Sequence, residues 1–173
     1  MKPSIYLAGK ISKNDWRQKL VPGLRYHLWD EGPITVNSFS YTGPFFVSCD
    51  HGCNHKHNSH GAAAGYAFGE STFTQKDVIR NNMASLASTD LLFAYVTAVD
   101  CYGTIFEIGK AIERGIRTVI VFAPSIPYED FWFTYMQADA VYFNVEECCL
   151  KHILNSEIEK TNTSLISIGK SDA

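Results

Sequence analysis

A chain of 173 residues fits one domain and can bury a core without help from metals or disulfides. Its 46% hydrophobic and 19% charged residues are those of a folded globular protein, and a formal net charge of -3 argues against a dedicated binder of nucleic-acid polymers or anionic membranes. No apolar run approaches the roughly 18 residues of a membrane span, and the N-terminal run meets Gly9 and Lys10 too soon for a secretory segment. A cytoplasmic protein is expected, with no membrane partner.

Residues Ser4 to Ala8 read as a short buried strand ending at Gly9. A polar loop follows to Asn14, then a helix that Asp15 could cap, which Pro22 should reset into a second segment through Trp29. Ile34 to Phe39 reads as a second strand and Phe45 to Ser48 as a short third. From Cys49 to Glu70 the pattern breaks into Cys, His, Asn, Ser and Gly, and a stretch of that length inside a domain points to function. Helix resumes at about Thr74, where Thr74 and Asp77 have capping-box spacing, and runs to Ser88.

The most regular part follows. Leu91 to Val96 is an apolar run, Thr104 to Arg114 a helix closed by Gly115, and Thr118 to Ala123 a second apolar run. Strand, helix, strand in this span is a βαβ crossover with parallel strands. Near-continuous apolar strands require helices on both faces. Tyr128 to Met136 reads as a short helix, Ala140 to Asn144 as a last strand, and Glu146 to Glu159 as a terminal helix. The expected organisation is one domain over 1–160 and a polar tail over 161–173. The fold class is α/β, a doubly wound, mostly parallel sheet of about five strands.

In such sheets ligands lie beyond the carboxyl ends of the strands. That rule brings Gly9 to Asn14, the loop near Cys49 and Thr97 to Thr104 to one rim. The last segment carries Asp100, Tyr102, Gly103 and Thr104, with Glu107 one turn into its helix. Two readings of Glu107 stand side by side. Thr104 and Glu107 have capping-box spacing, so the carboxylate can satisfy a helix amide; alternatively it faces the pocket, where it can attack an electrophilic carbon or stabilise a cationic transition state. Asp100 can make an Asx turn or face ligand, and Gly103-Thr104 at a helix start can meet an anion through backbone amides.

The segments IYLAGK, STDLLFAYV, DCYGTIFEIGKAIERG and TVIVFA together resemble the nucleoside 2-deoxyribosyltransferase superfamily, which includes deoxyribosyltransferases and nucleoside 5'-monophosphate N-glycosidases. The resemblance implies a flavodoxin-like five-stranded sheet and cleavage or transfer at an N-glycosidic bond, with no organic cofactor. It makes Glu107 the nucleophile, has Asp100 orient base or sugar, and brings Tyr6, Gly9 and Lys10 to the substrate. Asn82 stands where many members carry an Asp; it cannot donate a carboxylic proton but can hydrogen-bond a base edge. Similar enzymes are homo-oligomers, which makes the aromatic segment Phe131-Trp132-Phe133 an expected interface. Lys10, Lys13 and Arg17 are either phosphate ligands or a solvated helix start. Trp16 and Trp29 read as core or interface anchors.

The stretch CDHGCNHKHNSHG has no counterpart in the family pattern. It holds four of six histidines and two of five cysteines. One reading is a zinc site drawn from Cys49, His51, Cys53, His55, His57 and His60, although the spacing lacks two separated ligand pairs. Another is a pocket lid in which His51 contacts ligand and a shielded Asp50 acts as the general acid. A third is a surface loop without chemistry. The remaining cysteines, Cys101 and the vicinal Cys148-Cys149, fit free thiols in a reducing compartment. The expected partner is a small-molecule nucleoside or nucleotide. The alternative from another class is a binding module that holds a nucleotide-derived molecule without turnover.

Overall fold

The computed structural model describes residues 2–12, 14–24, 27, 31–45 and 75–168. Their strands form one six-stranded sheet in the order β2-β3-β1-β4-β5-β6. These are β1 (Ser4–Gly9), β2 (Ile34–Thr35), β3 (Ser40–Gly43), β4 (Leu91–Val96), β5 (Arg117–Phe122) and β6 (Ala140–Tyr142). All neighbouring pairs are parallel except β2 with β3. Without β2, the five parallel strands follow the 2-1-3-4-5 order of a flavodoxin-like doubly wound sheet.

The sixth strand corrects the expected count of five. Ile34 to Phe39 is not one strand. Asn37 and Ser38 bend the chain, the Val36 N–H donates to the Phe39 carbonyl at 2.9 Å, and the run folds into a hairpin. Its first arm is the antiparallel edge β2, and the pairing with β1 passes to Ser40–Gly43. The short third strand expected at Phe45 to Ser48 is absent at Phe45, and the rest of it lies outside the described residues.

Side-chain alternation along the strands separates two cores. Ile5, Leu7, Phe93, Tyr95, Val119 and Val121 point to the face covered by α1 (Arg17–Leu20) and α5 (Leu150–Ile168). Tyr6, Ala8, Leu92, Ala94, Ile120 and Phe122 point to the face covered by α2 (Gln75–Ala87) and α3 (Tyr102–Glu113), with the short α4 (Trp132–Tyr135) beside them. Every residue of β4 is buried, as the continuous apolar run requires.

Carboxylates tie the strand starts together. Asp90 accepts from the Ser4 N–H at 2.7 Å and the Ser4 hydroxyl at 2.6 Å, and Asp139 accepts from the Thr118 N–H at 2.7 Å. The terminal helix runs past the expected boundary at residue 160. Thr161 is buried and its hydroxyl donates to the Glu157 carbonyl, while Glu157 accepts from Arg117, Tyr142 and Lys160. No helix among the described residues is long and apolar enough to cross a membrane.

Candidate functional site

Strand β1 continues to β3 on one side of the sheet, and β3 returns through α2 to β4 on the other side of β1. The loops after β1 and β4 therefore diverge at the switch point of the winding, where a crevice opens beyond the strand ends. A cleft of about 200 Å³ lies there, lined by Gly9, Lys10, Ile11, Pro44, Asn82, Asp100, Cys101, Tyr102, Gly103, Thr104 and Glu107. Eight of these residues were expected at a ligand site from the sequence, and two of the three expected segments form its walls.

Glu107 lies half-buried at this cleft. Its Oε1 accepts a hydrogen bond from the Tyr6 hydroxyl at 2.6 Å and a longer one from the Asn82 side-chain amide at 3.4 Å. No capping box forms. Helix α3 begins at Tyr102 rather than Thr104, with Cys101 at its N-cap and no side-chain cap, so Thr104 is already inside the helix and is buried. The carboxylate is consequently free of the helix start and is held by a strand and a neighbouring helix instead.

Burial pushes the Glu107 carboxyl above its ordinary value, while the Tyr6 hydrogen bond, the Arg17 charge and the Asn82 amide pull it down. Burial and the neighbouring Glu107 push the Tyr6 phenol well above its ordinary value, so Tyr6 stays a protonated donor. With Oε1 committed to both donors, Oε2 makes no hydrogen bond among the described residues. Anchored through Oε1, the carboxylate is fixed in orientation at the cleft.

Two glycines make the arrangement possible. A Cβ on Gly9 would stand 2.9 Å from the Tyr95 carbonyl oxygen and 3.0 Å from an Arg17 nitrogen. A Cβ on Gly43 would stand 3.0 Å from the Tyr6 ring, which packs against that bare backbone. At the mouth, Lys10 contacts both Asp100 oxygens at 2.7 Å, which holds the Asp100 carboxyl below its ordinary value. Both partners are about half exposed, so water and salt compete for them. Tyr102, 79% exposed, stands on the rim.

Arg17 is not a phosphate ligand. It is wholly buried, pairs with Asp15 at 2.8 Å, and donates to the Leu7 and Gly9 carbonyls at 2.6 Å each. These bonds fasten the end of β1, and the guanidinium also stacks on Trp16 at 4.7 Å. Asp15 is not the N-cap of α1, a place taken by Trp16, but its carboxylate accepts from the Ser12 and Arg17 N–H groups at the turn before the helix. Pro44, Cys101 and Ile11 line the cleft without having been singled out; the Gly43-Pro44 step at a strand end was the available signal for the first.

Asp50, His51, Cys49, Cys53, His55, His57 and His60 lie outside the described residues, as does Lys13. Among the described residues no group of three or more His, Cys, Asp or Glu could hold a metal ion. A larger hollow of about 300 Å³ between α1, the β2–β3 hairpin and α5 is lined by Lys19, Val36, Phe39 and Lys151 among others. It contains none of the expected site residues and no carboxylate, so the smaller cleft at the switch point is the better candidate. No protein-family model matches the chain, and no curated protein matches it.

Proposed function

We propose that the protein cleaves or transfers at the N-glycosidic bond of a nucleoside or nucleoside 5'-monophosphate, with Glu107 as nucleophile. The observation that carries the reading is the half-buried Glu107 carboxylate at the switch-point cleft, anchored through Oε1 by Tyr6 at 2.6 Å. In this mechanism a Glu107 oxygen bonds the anomeric carbon as the carbon–nitrogen bond breaks and the base leaves with the bonding electrons. Water then hydrolyses the glycosyl ester, or a second base replaces it, which separates a hydrolase from a transferase. The Tyr6 hydroxyl positions the carboxylate, and Asp100 and Lys10 at the mouth contact base, sugar or phosphate. Asp50 is the proposed proton donor to the leaving base, in place of the carboxylic acid that Asn82 cannot supply. No organic cofactor takes part.

The resemblance to the nucleoside 2-deoxyribosyltransferase superfamily also supports a homo-oligomer. Tyr102 and Phe106 are exposed on α3, Trp132 and Phe133 on α4 and Met136 just after it, with α3 and α4 packed together, and an apolar surface of this kind marks an interface. One second reading has an observation in its favour. The amide of Asn82, reaching Glu107 at 3.4 Å, suits a module that binds a nucleotide-derived molecule without turnover.

Chromatography of a panel of nucleosides and 5'-nucleotides distinguishes these readings, with and without a second free base. Free base or exchanged nucleoside from the wild type, reduced about 1,000-fold or more in Glu107→Ala, is the expected result. Unchanged turnover in Asp50→Asn removes that residue from the mechanism. Tight binding with every substrate recovered intact favours the binding module.

A further inference from the structure

Away from the cleft, a 3-10 turn over Glu147–Cys149 leads into α5. Cys148 and Cys149 are both free and exposed, with their sulfurs 3.9 Å apart. The third free cysteine among the described residues, Cys101, is buried. A direct disulfide between the adjacent pair is disfavoured by covalent geometry. Consecutive Cα atoms are about 3.8 Å apart, whereas disulfides join Cα atoms about 4.4–6.8 Å apart at a sulfur–sulfur length of about 2.05 Å. Closing that bond would also strain the turn, in which the Cys149 N–H donates to the Glu146 carbonyl at 2.9 Å.

A single thiophilic atom set between the sulfurs does not require them to touch. Lys19 lies against the turn, pairing with Glu147 at 2.6 Å. The Cys148 side chain, 3.9 Å away sulfur to sulfur, pushes the Cys149 thiol up.

We propose that Cys148 and Cys149 form a two-sulfur capture site for a soft trivalent centre of the arsenite class. Each sulfur forms a bond to arsenic as one arsenic–oxygen bond breaks, and each thiol proton leaves with the departing hydroxide as water. Arsenic stays trivalent and no sulfur is oxidised. This site is independent of the glycosidic chemistry.

The test uses phenylarsine oxide as probe on the full chain carrying Cys49→Ser and Cys53→Ser, which removes competing thiols. Intact mass and peptide mapping should find one arsenical per chain on the peptide with Cys148 and Cys149, with two thiols consumed. Excess monothiol should leave it in place and a dithiol should remove it. Adding Cys148→Ser or Cys149→Ser should weaken capture about 100-fold or more, since the second bond is intramolecular. Equal affinity in either single variant, an adduct mapping to Cys101, or no adduct at all would overturn the proposal.

Discussion

Two ion pairs near the cleft show how burial decides what a charge does. Arg17 and Asp15 are both wholly buried, and Arg17 also binds two strand carbonyls. Removing one partner strands the other charge in the core, so Arg17→Met should cost about 3–5 kcal/mol in denaturant unfolding. Lys10 and Asp100 are half exposed, and Lys10→Met should leave the unfolding midpoint unchanged while altering substrate affinity. Glu107 carries the pH dependence. Its nucleophilic form is the carboxylate, and its pKa is raised by burial, so turnover should rise with pH through a value above the ordinary carboxyl range. The raised pKa also means the folded state holds this proton longer than the unfolded chain does. The group's favourable contribution is complete below the ordinary carboxyl pKa and is lost as pH rises through the raised value. Glu107→Gln should therefore unfold at a higher temperature than wild type at pH 7, with the difference vanishing at acid pH. A gain that grows on acidification would contradict this assignment. None of this was legible in the residue alone, because Thr104 and Glu107 have the same spacing whether or not they cap the helix; the start of α3 at Tyr102 decided it.

Among the elements, β4 and β5 were readable because each is apolar on both faces and its length matches a buried parallel strand. The β2–β3 hairpin was not, because its turn residues Asn37 and Ser38 sit inside an otherwise strand-like run and only pairing with β1 separates the arms. The terminal helix was expected to end at Glu159, since the residues beyond are polar. Glu157 and Thr161 face inward and carry it on. The close contacts of the bare glycine backbones were also invisible without neighbours. Gly43→Ala should push the Tyr6 ring away from Glu107. Overpacking of this kind costs about 1–3 kcal/mol, and the pH profile of turnover should shift along with stability. Stability loss with an unmoved profile would show that the Gly43–Tyr6 contact is structural only.

At the scale of the molecule, the doubly wound order brings together residues 90 and 101 positions apart, Lys10 with Asp100 at the cleft mouth and the buried Tyr6 with Glu107. From the sequence the strand-end rule brought Lys10 and Asp100 to one rim, whereas Tyr6 was linked to the site only through the family resemblance; the sequence also marked Trp132 and Phe133 as surface aromatics, and they are 59% and 69% exposed. Their burial in a homo-oligomer predicts that Trp132→Glu with Phe133→Glu lowers the mass found by sedimentation equilibrium to that of one chain. A wild-type protein that is already a monomer would refute the interface. The central claim is the attack of Glu107 on the anomeric carbon. The most direct measurement is the configuration of the methyl glycoside formed when a β-nucleoside substrate turns over in added methanol, read by NMR. Two successive displacements through a glycosyl-Glu107 ester give the β-methyl glycoside. An α-methyl glycoside would mean that methanol attacks the substrate itself, and the assignment of Glu107 as nucleophile would fall.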